Sequence, residues 1–464
     1  MTIKKTPAIT TATDQAYYLV CGLEIHAELK TKSKMFCGCP NAPFDAPGGP
    51  NTHTCPVCLG MPGGLPVANQ KAIESVIKLG LFLGCQINQF SKFDRKNYFY
   101  PDLSKSYQLS QYDLPFVYGG AIETSSGPIR LTRIHLEEDT AKLLHDKLPD
   151  GREVSLIDFN RCGVPLAEIV SEPDVRTAAQ AAEYARALRE TMRYLGIADC
   201  DMEKGGMRLE ANISLQTQAQ YEAGELPVYK VEVKNINSFN FMEQAVAFEI
   251  ERQAEILEAG EIPVQETRGY NPGTGRTFSQ RTKEDAADYR YFPDPDLPPI
   301  ELSDEMLAGW RVELPPQKSE LLAQWQKEWG IEPRFGAEFA ENQKSVAWAT
   351  ELFAQAAAAK LKPNQLTNFI VNKKIEAQVG DEAAAIIKDF QALTATADFS
   401  DADLQKIIDQ VLVDNQDAVA KYQAGQKQVI GFFVGQIMKA AGPQLQGAKL
   451  NPAQVNNLLV KSLK

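Results

Sequence analysis

The sequence predicts an α+β protein, and three observations carry that prediction. Between Tyr17 and Tyr291, short segments of alternating hydrophobicity are punctuated by Gly and Pro turns, with a few helical stretches such as Thr177 to Leu195. A proline-rich run from Tyr291 to Ile300, YFPDPDLPPI, breaks this pattern and reads as a linker or a domain edge. Beyond it nearly every segment has helical periodicity. The expected plan is a domain over residues 1–295 built on an antiparallel sheet, an all-α domain over 296–400 and a small helical tail over 401–464.

Composition bounds the function. With 464 residues, 44% hydrophobic and 23% charged, the chain can support two or three packed cores. No stretch approaches the roughly 18 to 20 consecutive apolar residues that cross a bilayer; the nearest, Val429 to Met438, contains two glycines. Met1 to Ala16 is polar and threonine-rich, without the apolar core of a secretory signal. A soluble, cytoplasmic protein with no membrane contact is expected. A formal net charge of −12 argues against wholesale coating of nucleic acid, whose phosphates demand Lys and Arg. Residues 401–464, however, hold seven Lys and five Asp, so any RNA contact is expected to be local and to favour the tail.

The first strand signal is Tyr17 to Leu29, YYLVCGLEIHAEL. Its period of two puts Leu19, Cys21, Leu23, Ile25, Ala27 and Leu29 on one face and Glu24, His26 and Glu28 on the other. Two carboxylates flanking an imidazole repel unless they are solvated or hold a cation, so the polar face is either a solvent face or a metal site. Next come Cys37, Cys39, Cys55 and Cys58, two close pairs bracketing a Gly- and Pro-rich loop over residues 37–58. That spacing fits a tetrahedral structural zinc, with reduced, unliganded thiols as the alternative. Cys21, Cys85, Cys162 and Cys200 are scattered singly and read as core.

Lys96 to Tyr112, KNYFYPDLSKSYQLSQY, is dense in Tyr and Lys. Lys96 and Lys105 can reach phosphates there, while Tyr98, Tyr100 and Tyr107 either stack on bases or pack a wall. Three further alternating segments follow. Arg133 to Asp139 supplies Glu137, Glu138 and Asp139; Met207 to Leu215 presents Arg208, Glu210 and Asn212; Tyr229 to Asn235 presents Lys230, Glu232 and Lys234. Alternation alone establishes only a sheet with one buried face. The side chains on the polar face are the set a Mg²⁺-nucleotide site requires, oxygen ligands for the metal and cations for phosphates. Lys96, Lys105, Arg208 and Lys234 are the candidate nucleotide-binding cations.

Helices are expected at Ser303 to Ala308, Lys318 to Trp329, Gly336 to Ala359 and Asp381 to Leu393. In the tail they are expected at Ser400 to Val413, Asp414 to Ala424, Gln426 to Ala441 and Asn451 to Leu463, with caps at Ser400, Asp414 and Asn451. No GxxxxGK[ST] loop, GxGxxG or GxSxG occurs. ATP, if used, must therefore sit on a sheet face, and ammonia, if used, must be released by another polypeptide.

At these residues the chain resembles the B subunits of aspartyl/glutamyl-tRNA(Asn/Gln) amidotransferases. The resemblance rests on GLEIHAELKTKSKMF, CPVCLGMPGGLPVAN, KNYFYPDLSKSYQLSQYDLP, RIHLEEDTAK, DFNRCGVPLAEIVSEPD, VEVKNINSF and DYRYFPDPDLPP, in order from Gly22 to Pro299. It implies a catalytic cradle similar to the glutamine synthetase and guanido kinase fold, then a helical domain and a tRNA-binding helical tail. It implies ATP-dependent phosphorylation of the side-chain carboxylate of glutamyl-tRNA(Gln) or aspartyl-tRNA(Asn), then amidation by ammonia. The implied partners are the amidase (A) and small (C) subunits of such enzymes and the misacylated tRNA, with a non-discriminating aminoacyl-tRNA synthetase as a further candidate. Carried over residue by residue, Glu24, His26 and one or both of Glu137 and Glu138 match Mg²⁺ positions, with Glu210 joining them, and Cys37, Cys39, Cys55 and Cys58 match the zinc positions of those members that have them. The chain departs at Leu209-Glu210, where the resemblance implies Cys-Asp. A ligase acting on a free small acid and a non-catalytic, zinc-bearing RNA scaffold are the competing readings; neither explains both the carboxylate-bearing strands and the tail.

Overall fold

The alternation that opens the sequence forms the strand Ala16–Glu28 (β1), with Leu19, Cys21, Leu23, Ile25 and Ala27 buried on one face. In the computed structural model, which describes residues 7–43, 46–282, 288–394, 400–441, 450 and 452–463, a large mixed sheet grows on both sides of this strand. The chain adds Ile129–Glu138 (β2), Pro165–Ser171 (β3), Met207–Thr217 (β4), Val231–Ile236 (β5), Glu266–Asn271 (β6) and Arg276–Thr282 (β7). Their spatial order is β7-β6-β5-β4-β1-β3-β2, with two short strands, Val117–Tyr118 and Gln86–Ile87, extending the β2 edge. Neighbours are antiparallel except β5 and β6. The carboxylate-bearing segments anticipated from alternation thus all join one sheet.

Three helices cover its apolar face: Gln70–Phe82 (α1), Ala178–Tyr194 (α2) and Phe239–Glu258 (α3). Each starts where a side chain satisfies the free N–H groups of the first turn: Asn69 for α1, Thr177 for α2 and Ser238 for α3. Val76, Ile77, Ala185, Leu188, Met242 and Val246 from these helices share one core with Leu23, Ile25, Ile134, Ile169, Leu209 and Val233 of the strands. The other face is left free for polar chemistry.

The chain divides into two compact units, residues 1–317 with 341–343, and residues 318–340 with 344–464. The proline-rich stretch folds back onto the first unit. Phe292–Pro293 pairs with the strand Asp94–Asn97, and Ile300–Glu301 pairs with Phe90–Ser91. Buried Asp294 accepts from Arg95 Nε at 2.6 Å and from the N–H groups of Asp296 and Leu297, which secures the turn.

The second unit is helical among its described residues. Lys318–Trp329 forms as expected, but the helix expected over Gly336 to Ala359 is two, Pro333–Phe339 and Gln343–Ala358. The chain leaves the helical region at Ala340 (φ −102°, ψ 41°), which ends the first piece. The helix Pro363–Val371 was not anticipated; Pro363 at its first turn reads as a breaker in sequence yet is well placed there, since it forfeits only an N–H that has no helical partner. In the tail, Ser400 caps Asp401–Asp414 as expected, whereas the next helix, Gln416–Gln423, is preceded by Asn415 rather than capped by Asp414. The expected cap at Asn451 lies outside the described residues. Leu404, Ile408, Phe433, Ile437, Val455 and Leu459 form a core made only of tail residues.

One buried ionic network ties α3 to the far edge of the sheet. Glu249 is fully buried and accepts from Arg252 Nη2 at 2.8 Å, Gln253 Nε2 at 2.8 Å and Thr277 Oγ1, with Arg268 Nε at 3.2 Å. Removing the carboxylate takes away the fully buried one of the two counter-charges these largely buried guanidiniums share, leaving Glu266, which faces Arg268 Nη1 and lies 3.9 Å from Arg252 Nη1. Glu249→Ala is therefore expected to cost about 3 kcal/mol or more in urea unfolding. A loss comparable to an exposed substitution, under about 0.5 kcal/mol, contradicts this account of the network.

Candidate functional site

The polar face of β1 forms the floor of a cleft of about 410 Å³. Strand register decides which side chains meet there. His26 on β1 lies opposite Arg208 on β4 and Glu168 on β3, and Glu168 lies opposite His135 on β2, so four polar side chains run in a row across four strands. Glu24 lies opposite Glu210 one step along. Glu137, two residues after His135, shares its face and lines the same cleft.

The distances show how tightly these groups are gathered. His26 Nε2 lies 3.5 Å from Glu168 Oε2, 3.7 Å from Glu24 Oε1 and 3.8 Å from Glu137 Oε1. His135 Nε2 lies 3.1 Å from Glu168 Oε2. Arg133 Nε donates to His135 Nδ1 at 3.3 Å, which leaves the Nε2 proton of His135 facing Glu168. His135 is thereby placed to orient the Glu168 carboxylate.

Two cations of the cleft are held by further carboxylates. Lys234 Nζ lies 2.8 Å from Glu210 and 3.6 Å from Glu232. Arg208 donates to the buried Asp139, which also faces Arg161 Nε at 3.6 Å. Lys96 lies over Tyr289, 5.1 Å from the ring centroid, and near Tyr98 at 6.0 Å. Tyr112 and Tyr291 stack 4.4 Å apart at the cleft wall.

Burial and the crowding of charge of both signs shift these groups. Burial, then the charge of Glu168, pushes the Glu24 carboxyl up to about 7, against the pull of His26. Burial opposes charge on His26, yet its hydrogen bond to Glu168 and the charges of Glu168 and Glu137 raise it to about 9. Burial alone would raise Glu168, but His135 and His26 hold it well below the usual carboxylate range. Burial likewise opposes the Lys96 ammonium, while Glu137 and Glu168 keep it firmly charged. Burial and Asp139 push Glu28 up to about 8 despite Arg208 and Arg161.

Of the residues singled out in the sequence, Glu24, His26, Glu137, Glu210, Lys96, Arg208 and Lys234 come together around the cleft. Glu138 and Lys105 do not. Glu138 follows Glu137 on a strand, so its side chain leaves the opposite face. It accepts from Lys105 Nζ at 2.8 Å and from the Leu109 N–H at 2.9 Å, and the pair lines a separate cavity of about 140 Å³ beside Cys37 and Cys58. Tyr98 and Tyr100 line the cleft, whereas Tyr107 lines the smaller cavity. Sequence reasoning missed Glu168, His135, Tyr289 and Tyr291. Glu168 and His135 sit in strands whose two faces are both largely buried, so alternation does not mark them.

A divalent cation suits one part of this cleft. Glu24, His26 and Glu168 each offer a ligand atom, all within 4.8 Å of one another, and Nδ1 of His26 is buried without a hydrogen-bond partner. The four cysteines form a second candidate centre. Cys37, Cys39, Cys55 and Cys58 bring their sulfurs within 4.8 Å of one another, close to the roughly 3.8 Å edge of a tetrahedron with zinc–sulfur bonds of about 2.3 Å. A hydrogen bond from Cys37 pulls the Cys58 thiol down to about 5 against the cost of burial, with the Cys55 N–H, at 3.1 Å, and Lys34 assisting. The donor set is that of a closed, structural zinc site.

The cleft's protonation state makes cation binding pH-dependent. Folded Glu24 keeps its proton to higher pH than an unfolded carboxyl, so on its own it destabilises the fold as pH rises from the ordinary carboxylate range through about 7. A cation held by Glu24 and His26 must displace the protons of both. Mn²⁺ affinity measured by electron paramagnetic resonance is expected to rise about tenfold or more between about pH 6 and pH 8. Affinity independent of pH over that range contradicts the ligand set.

Similarity to known proteins extends over almost the whole chain. The GatB/GatE catalytic domain family matches residues 19–308, and the GatB domain family matches residues 342–463. Relatives named as the B subunit of aspartyl/glutamyl-tRNA(Asn/Gln) amidotransferase are similar over nearly their full length. One from Thermodesulfovibrio yellowstonii is 41% identical, covering 97% of this chain and 99% of the relative. One from Crocosphaera subtropica is 40% identical, covering 98% and 100%, and one from Anaeromyxobacter dehalogenans is 41% identical, covering 96% and 99%.

Proposed function

The chain belongs to the family of aspartyl/glutamyl-tRNA(Asn/Gln) amidotransferase B subunits, and we propose that it activates the side-chain carboxylate of misacylated tRNA with ATP in the cleft built on β1. It acts in converting glutamyl-tRNA(Gln) or aspartyl-tRNA(Asn) to the amidated form. The observation that carries the site assignment is the cluster of Glu24, His26, Glu137 and Glu168 that shares one cleft with the Lys96 ammonium. We also infer that the first compact unit, which runs past the boundary expected at residue 295 to residue 317, is a cradle akin to glutamine synthetase and guanido kinases, followed by a helical domain and a tRNA-binding tail over 401–464.

A free carboxylate resists amidation because its charge repels nucleophiles and oxide is a poor leaving group. In the proposed chemistry a side-chain oxygen of the charged amino acid attacks the γ-phosphorus of ATP, and ADP departs. Ammonia then attacks the acyl carbon and loses a proton, and phosphate leaves with the former carboxylate oxygen. Glu24, His26 and Glu168 would hold Mg²⁺, with Glu137 beside them and Glu210 on the adjacent strand. When bound, Mg²⁺ supplies charge neutralisation between the nucleotide phosphates. Lys96, fixed between tyrosine rings, is placed to meet charge on the transferring phosphoryl oxygens, with Lys234 and Arg208 at the rim. Lys105, committed to Glu138, has no part in this step. His135 orients Glu168, and the tyrosines offer stacking faces to a base.

No glutamine-hydrolysing nucleophile motif occurs in this chain, so ammonia must come from an amidase partner, the A component of such enzymes, assembled with a small C component. A non-discriminating aminoacyl-tRNA synthetase would supply the misacylated tRNA. Zinc held by Cys37, Cys39, Cys55 and Cys58 is structural in this reading, because four thiolates leave no position open to substrate.

In the assembled enzyme, Glu24→Gln keeps the side chain's size but removes a charged ligand. It is expected to abolish ATP hydrolysis stimulated by charged tRNA while sparing glutaminase activity measured without tRNA, and added ammonium chloride should not restore amidation. Restoration by ammonium would place activation elsewhere. Free glutamate should not replace charged tRNA in stimulating ATP hydrolysis; equal stimulation favours a small-acid ligase. Deleting residues 401–464, whose core is self-contained, is expected to weaken tRNA binding by about tenfold or more. Unchanged tRNA affinity would remove the tail from recognition.

A further inference from the structure

Lys34 is fully buried, an unusual place for an ammonium group. Among the described residues it has no carboxylate within ion-pairing distance. Its Nζ donates to the carbonyl of His53 at 2.8 Å and to that of Phe159 at 3.2 Å, and it lies 3.8 Å from Cys58 Sγ. Carbonyl dipoles answer two of its three protons. They do not answer its charge, and an unpaired buried ammonium costs several kcal/mol.

The negative charge that fits is the cysteine centre itself. Four thiolates around one zinc leave a net charge of about −2, in a site partly withdrawn from water. The surroundings of Lys34 bring two distant chain segments to this point. His53 belongs to the cysteine loop, and Phe159 belongs to the turn that runs into β3, where Gly163, at φ +84°, sits so that an added Cβ would make van der Waals contact with Lys34 Cδ at 3.5 Å and Cys58 Cβ at 3.6 Å. The Met35 N–H closes the same junction on the Gly163 carbonyl at 2.7 Å. Beyond that turn β3 carries Glu168 into the cleft.

We propose that Lys34 is the internal counter-ion of the four-cysteine metal centre, its ammonium offsetting thiolate charge at Cys58 while pinning the metal loop to the turn that starts β3. This rests on the reading of the cysteines as a zinc site. Lys34 is a positioning residue for the metal; it touches no substrate.

The test compares purified full-length wild-type protein with Lys34→Met and Lys34→Gln. Zinc transfer to excess 4-(2-pyridylazo)resorcinol is expected to be about 10- to 100-fold faster in both variants, the range seen when groups around metal ligands are removed. Gln retains a donor for the carbonyls, so a fast-releasing Gln variant separates charge from hydrogen bonding. With cobalt in place of zinc, the sulfur-to-metal charge-transfer band should move to lower energy in both variants, because thiolate electrons no longer feel the ammonium. Release rates and bands equal to wild type overturn the proposal. Wild-type protein that binds no zinc overturns instead the metal reading beneath it. Should the variants fail to fold, trace acetylation of zinc-loaded wild type decides: Lys34 should resist while exposed Lys30 and Lys32 react, and equal labelling of all three overturns the proposal.

Discussion

Strand register concentrates charge in this protein, and much of the remaining structure answers that concentration. β1 sits at the middle of the sheet, so its polar face is flanked by the polar faces of β3 and β4 and cannot relax into solvent. Placing Glu168 between His26 and His135, and Glu24 opposite Glu210, gathers more negative charge than the local cations neutralise without strain. The strain is visible in a Glu24 carboxyl raised to about 7 and a His26 imidazole raised to about 9. A divalent cation relieves both shifts at once, and triphosphate then has a place to bind. In the proposed reading, the cleft is prepared for a metal-nucleotide complex rather than for a neutral ligand.

The walls of the cleft come from segments distant in sequence, and their support is correspondingly indirect. Lys96 is presented by the strand Asp94–Asn97, which is paired on one side by Phe292–Pro293 and anchored by the Arg95–Asp294 ion pair. That pairing carries Tyr289 and Tyr291 over the cleft. The cysteine loop abuts the turn before β3 on one side and the Ser104–Lys105 turn on the other, where Ser104 Oγ donates to the Cys58 carbonyl at 2.7 Å. In the proposed reading, a metal held by this loop would act on the placement of Glu168 without entering the chemistry.

How much of this could be read from sequence follows from what local pattern encodes. β1 and β4 declare themselves because one face is core and the other is cleft, and the cysteine pairs declare themselves because their spacing is local. β3 reads as an apolar run around a single Glu, since both of its faces are covered, and nothing in its pattern singles out Glu168 even though its segment carries part of the family resemblance. Glu137 and Glu138 look equivalent as neighbours in sequence. On a strand they face opposite ways, and Glu138 is spent on Lys105. Tyr289 and Tyr291 gain their meaning through ring contacts more than a hundred residues away in sequence, and Lys34 through the fold that brings His53, Cys58 and Phe159 around it, neither of which periodicity can report. In the second unit, the break at Ala340 and the helix opened by Pro363 show the same limit for helices.

The central claim is that this chain makes the side-chain carboxylate an acyl phosphate before ammonia arrives. Isotope transfer tests it directly. Glutamyl-tRNA(Gln) or aspartyl-tRNA(Asn) bearing ¹⁸O in both side-chain carboxylate oxygens is amidated by the assembled enzyme with unlabelled ATP, and the released phosphate is analysed by mass spectrometry. The account predicts one ¹⁸O in each phosphate formed with amide, because the oxygen that attacks phosphorus leaves with it. Unlabelled phosphate accompanying full amidation would contradict it.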